Sequence, residues 1–256
     1  MKKHVAIIQA RMGSTRLPGK VLMDIAGKPV LTHVIERVRA AQRIEHIVVA
    51  TTNKVLDTAI IDVAKTHQVE YYAGSEDDVL ERYYRTACLF NAGVVVRITA
   101  DCPLIDPNII DKTVEKFLDA DGRLDYVSTD DTFPDGLDTE VFSFSALTDA
   151  WKHARLQSER EHVTPYIYNN PERFRIATIH HNVDLGHLRL TLDQVEDLIL
   201  IREIFERAKS FNVGYTYLEE VLEILETHPD LKLINAHISR NEGYRKSLEN
   251  DFVSEN

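Results

Sequence analysis

Cysteine is scarce. Cys88 and Cys102 are the two in 256 residues, which excludes a disulfide-framework fold and points to a reducing, cytoplasmic setting. Glycine and proline are sparse as well, at 10 and 8 residues, which excludes low-complexity and collagen-like chains. No run approaches the roughly 18 consecutive apolar residues that a membrane span requires. The apolar run after Met1-Lys2-Lys3-His4, from Val5 to Ala10, is too short for a signal-peptide core and no small-residue cleavage site follows it. Positive charge is in deficit: 30 Lys and Arg stand against 41 Asp and Glu, a net charge of −11. A nucleic-acid backbone and an anionic lipid surface would both be repelled. No Ser/Gly-rich linker or repeat period interrupts the chain, so one domain spanning residues 1–256 is expected.

What is present alternates between strand and helix. Val5–Ala10, Ile47–Thr51, Val69–Tyr72 and Val94–Ile98 are short apolar runs that predict strands. Between them, helical spacing places Val30, Leu31, Val34, Ile35 and Val38 on one face. A second helix carries Val55, Leu56, Ala59, Ile60, Val63 and Ala64, and a third, Val79 to Phe90, turns Tyr83, Ala87 and Cys88 inward. Tyr83 and Tyr84 read as core residues. A fourth helix runs from Asn108 to about Leu118. This order predicts an α/β fold with a mainly parallel sheet covered on both faces. Beyond Asp130 the pattern is mixed: strands at Thr139–Phe144, Arg175–Ile179 and Arg189–Asp193, and helices at Ala146–Ala154, Glu161–Tyr168 and Val195–Lys209. In parallel sheets ligands bind beyond the carboxyl ends of the strands, so the chemistry is sought after Ala10, Thr51, Tyr72 and Thr99.

The loop after the first strand, Gln9 to Lys20, carries Gly13, Ser14, Thr15 and Gly19 with the cations Arg11, Arg16 and Lys20. Glycines let backbone N–H groups approach phosphate oxygens, and Arg and Lys neutralise their charge. A triphosphate suits such a loop, and a solvated basic loop is the plainer alternative. It is not a P-loop, because Gly13 and Gly19 are too far apart and Val21 follows Lys20. There is no Gly-x-Gly-x-x-Gly either.

Two carboxylates lie where a metal could be needed. Asp101 follows the strand ending at Thr99, with Pro103 fixing the turn behind it. Asp193 precedes the helix at Val195, where an ordinary N-cap would explain it equally well. Asp77 and Asp78 read as capping residues of the helix at Val79, and Arg82 projects from that helix towards a bound nucleotide. In Asp135-Gly-Leu-Asp-Thr-Glu140, Asp138 and Glu140 fall on one side of an extended chain. They read as acceptors for sugar hydroxyls or as a solvated strand edge. His162 is the histidine singled out for a role, with a helix-surface position as the alternative. His180-His181 lacks the further ligands a zinc site needs, and no nucleophile elbow is present.

Gln9–Leu22 resembles the signature of the cytidylyltransferase family that includes 3-deoxy-manno-octulosonate and acylneuraminate cytidylyltransferases. It is most similar to the spore coat polysaccharide biosynthesis protein F group. Gly74–Tyr83, Arg97–Asp106, Asp135–Phe142, Glu159–Pro165, Arg189–Asp193 with Glu196-Asp197, and Asn241–Leu248 match in order. Ala100 departs from the pattern, standing where glycine is expected. The resemblance implies a nucleotide-diphospho-sugar transferase-like, Rossmann-like three-layer sandwich and transfer of CMP from CTP to a sugar-type acceptor. It implies Mg²⁺ held by Asp101 and Asp193, catalytic roles for Arg11, Lys20 and Asp101, and a nucleotide site of Ala10, Arg11, Gly13, Ser14, Arg16, Lys20 and Arg82. Asp138, Glu140 and His162 would face the acceptor, itself an acidic sugar, a sugar or polyol phosphate, or a phosphonate. Homodimers are common in that family. Two other functions compete. A glycosyltransferase of similar architecture tends to place Asp-x-Asp at its metal, whereas Cys102 and Pro103 follow Asp101 here; a non-catalytic nucleotide-binding subunit would not need Lys20 and Asp101.

Overall fold

The computed structural model describes residues 3–211 and 215–253; the Met1-Lys2 part of the basic start lies outside them. Seven strands form one sheet: β1 (Lys3–Gln9), β4 (His46–Thr52), β5 (Glu70–Gly74), β6 (Ala92–Thr99), β7 (Tyr126–Thr129), β8 (Glu140–Ser143) and β9 (Ile176–Ile179). Their order is β5-β4-β1-β6-β8-β7-β9. The strands β5, β4, β1 and β6 are mutually parallel, β8 is antiparallel to both neighbours, and β9 is parallel to β7. Between β1 and β4 lie a small hairpin, β2 (Asp24–Ile25) and β3 (Lys28–Pro29), and the helix α1 (Val30–Ala40).

Period-two alternation in β1 explains why helices cover both faces. Ala6 and Ile8 pack with Leu31, Val34, Ile35 and Val38 of α1 and with buried residues of α2 (Thr58–Thr66) and α4 (Pro107–Leu118). Val5 and Ile7 face the other way, onto Leu80, Tyr83 and Ala87 of α3 (Val79–Leu89) and Leu147 of α5 (Phe144–His153). Such burial stabilises by roughly 25 cal/mol per Å² of apolar area, which makes register errors costly because a one-residue slip exchanges the two faces. A third apolar cluster joins α8 (Val195–Ala208) and α9 (Leu218–Thr227) to Leu104, Leu190 and Leu192. The expected α/β three-layer arrangement with a mixed second half is therefore present.

Several local expectations differ from the structure. Val55 and Leu56 are exposed, because the chain there forms a single 3-10 turn (Val55–Asp57) before α2 begins. Ala59 is exposed too, so Ile60 and Ala64 alone are buried on that helix. Cys88 is exposed and Tyr84 half-buried, stacked on Trp151 with ring centroids 4.1 Å apart. The helix expected over Glu161–Tyr168 is two helices, α6 (Gln157–His162) and α7 (Pro165–Tyr168), parted at Val163, whose φ is 74°. Arg189–Asp193 forms no strand and makes one isolated bridge, Asp135 to Arg189. A final helix, α10 (Glu242–Glu249), sets Tyr244 and Leu248 on one face yet buries no residue.

Strand order reverses around β1: the chain moves from β1 to β4 and β5 on one side, then returns to β6 on the other. The loops leaving β1 and β6 therefore flank the crevice where ligands bind in open α/β sheets.

Candidate active site

The loop after β1 is shaped from behind. Met12 N–H donates to the buried carboxylate of Asp57 at 2.7 Å, and Ser14 Oγ accepts from Leu17 N–H at 3.2 Å. Gly19 has φ 72°, a left-handed conformation that glycine adopts without a Cβ penalty, and it starts the turn that carries Lys20 inward. The Lys20 ammonium lies 2.6 Å from Asp101 Oδ2 and 2.7 Å from Asp193 Oδ1. Backbone pairing holds the two carboxylates together, since Leu192 N–H donates to the Asp101 carbonyl at 2.8 Å.

Asp193 is no N-cap. Gln194 occupies that position, and the carboxylate of Asp197 accepts the N–H groups of Asp193 and Gln194 at 2.9 Å each. This frees the Asp193 side chain for Lys20, for Arg16 at 2.8 Å and for Arg189 at 3.2 Å. Asp78 does cap α3, accepting from Glu81 N–H.

Two cavities meet at this pair of carboxylates. One, of about 330 Å³, is lined by Ala10, Arg11, Ser14, Arg16, Lys20 and Arg82 among others. The second, of about 370 Å³, is lined by Asp138, Glu140 and His162 among others. Asp101 and Asp193 line both, as do Arg16, Thr99 and Gly243. Of the anticipated site residues Gly13 alone is absent from either wall: it backs onto Glu76, whose Oε1 would lie 3.2 Å from an added Cβ.

Residues that sequence reasoning missed complete the second cavity. Arg189 donates to Asp135 Oδ2 at 2.7 Å and to Asp197 Oδ1 at 2.9 Å. Arg97 pairs with Glu140, which also accepts from Tyr126 and Thr164 hydroxyls. Gly136, at φ 102°, lets its backbone pass Leu190 and Thr191, where a Cβ would fall 2.4 Å from the Thr191 nitrogen. From α10 come Glu242, bonded to Arg16 at 3.0 Å, and Ser247, bonded to His162 at 3.0 Å. Arg97, Asp135, Gly136, Thr164, Arg189, Asp197, Glu242 and Ser247 all lie within the segments that resemble the family, which was the one available signal.

Electrostatics favour full charge on the central groups. Burial disfavours the Lys20 cation, but Asp101 and Asp193 outweigh it and raise its pKa. Burial likewise opposes ionised Asp101, yet the charge and hydrogen bond of Lys20 bring its pKa down to about 2. Burial lowers the His162 pKa to about 4. Both shifts predict loss of stability in acid. Asp101 ionises at about 4 when unfolded, so its contribution is complete above that pH and is lost as pH falls towards 2. His162 stays neutral in the fold while the unfolded imidazole protonates near 6.5, so stability also declines as pH falls from about 6.5 to 4. Asp135, whose pKa burial and the neighbouring Asp138 raise to about 7, acts in the opposite sense to His162 between about pH 7 and 4. The expected drop in urea midpoint therefore lies between about pH 4 and pH 2, where Asp101 protonates; a flat profile there would contradict this assignment.

Among the described residues no group of three or more His, Cys, Asp or Glu is placed to hold a metal ion. The Asp101–Asp193 pair nevertheless suits Mg²⁺, which takes one or two carboxylates and completes its octahedron with phosphate oxygens and water. The Lys20 ammonium already shows a cation accepted between the two.

This crevice, with a glycine- and cation-bearing loop on one side and a carboxylate pair at its centre, defines a nucleotidyltransferase. The chain belongs to the cytidylyltransferase family, whose profile matches residues 5–235. It is 39% identical to the protein MJ1063 of Methanocaldococcus jannaschii over 249 residues, 96% of this chain and 100% of that one. It is 32% identical to the spore coat polysaccharide biosynthesis protein SpsF of Bacillus subtilis over 242 residues, 90% of this chain and 97% of that one. A solved cytidylyltransferase from Leptospira borgpetersenii superposes with a TM-score of 0.84 at 34% identity, covering 90% of this chain and 97% of that one. No helix among the described residues is long and apolar enough to cross a membrane.

Proposed function

We propose that the chain is a single catalytic unit that transfers CMP from CTP to a sugar-type acceptor, with Mg²⁺ and release of pyrophosphate, in the synthesis of a surface or spore coat polysaccharide. One observation carries the reading: two cavities share Asp101 and Asp193 as a common wall, with Lys20 between them. The triphosphate lies against the loop of Arg11, Ser14, Arg16 and Lys20. Charge that builds on the departing pyrophosphate is met there by cations already in place, which is the main resource of phosphoryl-type catalysis. Asp101 and Asp193 would hold Mg²⁺, which would supply charge neutralisation and polarisation at the α-phosphate. The acceptor oxygen approaches from the second cavity, oriented by Asp138, Glu140 and His162. Gln9 Oε1 and Arg82 Nε, in residues lining the first cavity, are buried with no hydrogen-bond partner among the described residues. A glutamine amide and a guanidinium can hydrogen-bond the edge of a pyrimidine, cytosine or uracil alike; the choice of CTP rests on the family match.

A melting panel of CTP, UTP, ATP and GTP with and without Mg²⁺ tests the reading. Ligand at a hundred times its dissociation constant stabilises by about 2.7 kcal/mol, or roughly 5–10 °C for a chain of this size. That shift is expected with CTP and enhanced by Mg²⁺. A larger shift with another nucleotide overturns the base, and no shift with any overturns the reading.

A further inference from the structure

We propose that Lys246 on α10 binds the triphosphate, and that the Glu242 carboxylate is the anion that holds Lys246 and Arg16 in place until the nucleotide supplies one. The proposal rests on the functional reading above. It adds a cation from the C-terminal helix to those of the loop after β1 and of α3.

The chain on either side of α10 fixes where the helix lies. Ahead of it, Arg240 donates to the Phe133 carbonyl and to Asp138 Oδ1, each at 2.7 Å. Behind it, the Asp251 carboxylate accepts from Ser158 N–H at 3.0 Å and from the Ser158 hydroxyl at 2.6 Å. The Phe252 carbonyl then accepts from Gln157 N–H at 2.9 Å. Pinned at both ends, α10 lies along the two cavities: Gly243 lines both, and Lys246 lines the first. Since the helix buries no residue, covering an apolar core does not explain its position.

Glu242 joins two cations that a triphosphate can use. Its Oε2 accepts from Arg16 Nη1 at 3.0 Å, and its Oε1 accepts from Lys246 Nζ at 2.7 Å. One carboxylate thus bridges a cation of the β1 loop and a cation of α10, both of which line the first cavity. A phosphate offers the same pair the same thing, anionic oxygens carried on one small centre. Glu242 and Lys246 are four residues apart on the helix, and such pairs are common on solvated faces. The bond to Arg16, 226 residues away, sets this one apart. Hydrogen bonds from Lys246 and from Arg16 hold the Glu242 carboxyl down at about 2, so the bridging group is a full anion at neutral pH. Its side chain is partly exposed and can turn aside without opening any core. The Lys246 ammonium, a compact charge on a flexible stem, can follow the phosphate.

Calorimetric titration of the full chain with CTP and with CMP, each with Mg²⁺, compares the wild type with Lys246→Ala, Lys246→Arg and Glu242→Gln. A wild type that binds no CTP defeats the functional reading, and this proposal with it. Where the wild type binds, Lys246→Ala is expected to weaken CTP roughly fivefold or more, the return on one charge-assisted bond still partly open to water. CMP lacks the β- and γ-phosphates, so its affinity for the same variant should stay within about twofold of wild type. Lys246→Arg keeps the charge and should recover most of the loss. Glu242→Gln is expected to bind CTP roughly threefold more tightly, because the triphosphate no longer competes with a carboxylate for the two cations. With CTP binding established in the wild type, a smaller loss in Lys246→Ala, an equal loss of CMP, no recovery in Lys246→Arg, or Glu242→Gln binding no more tightly than wild type overturns the proposal alone.

Discussion

Replacing Lys20 with alanine is expected to lower pyrophosphate release about 10³-fold or more, the scale on which charged groups serve phosphoryl transfer. The same substitution has a second, distinguishable effect. Lys20 separates the charges of Asp101 and Asp193, which lie 2.6 and 2.7 Å from its ammonium. Without it the two carboxylates repel each other, and the metal-free protein is expected to lose about 1–3 kcal/mol, less than the 3–5 kcal/mol of a fully buried broken pair. Mg²⁺ should restore that loss, so the variant's melting temperature rises more on adding Mg²⁺ than the wild type's does. Turnover within tenfold of wild type, or an equal Mg²⁺ response in both, would show that Lys20 does not share the site with the metal.

The largest expected effect on stability belongs to Arg189→Ala. This guanidinium is the hub for Asp135, Asp193 and Asp197, and Asp197 is wholly buried. Its removal strands carboxylates inside the protein, a loss of about 3–5 kcal/mol, or roughly 10 °C of melting temperature at this chain length. Asp197 would retain Asn235 and two backbone N–H donors, which keeps the estimate from rising further. Arg189→Lys preserves the charge, but a compact ammonium with three donors cannot span the four bonds that the guanidinium fork makes to Asp135, Asp193 and Asp197, so an intermediate loss is expected. Chemical denaturation of the three proteins checks the order; a loss under 1 kcal/mol for Arg189→Ala would contradict the role of the hub.

Why some of this was readable in the chain and some was not follows from sequence distance. The β1 strand, its glycine- and cation-bearing loop and Asp101 each sit within one short segment, so local pattern and strand-tip logic locate them. The hub joins Asp135 to Arg189 across 54 residues, and Arg97 meets Glu140 across 43. Nothing local distinguishes such carboxylates from solvated ones. Val163 shows the opposite failure: a β-branched residue at φ 74° is locally disfavoured, so tertiary packing, which buries it completely, overrides the helical pattern around it. Arg189–Asp193 alternates like a strand, but it makes one isolated bridge, to Asp135 outside the sheet. The α10 helix buries no residue and is tied by polar contacts such as Glu242 to Arg16 and Ser247 to His162. Its apolar face is only Tyr244 and Leu248, half-buried and exposed, too short a stripe to announce a packed helix.

On the proposed reading, the carboxylate pair shared by the two cavities also sets the stereochemical course expected of the transfer. Reactants that reach the α-phosphorus from opposite compartments arrive on opposite faces of it, so the entering and leaving oxygens stand in line. The buried Cys102 thiol, with its pKa pushed well up by burial and by Asp101, is no relay for the nucleotidyl group. A single displacement across that partition is expected to turn the phosphorus inside out once, giving a product of inverted configuration.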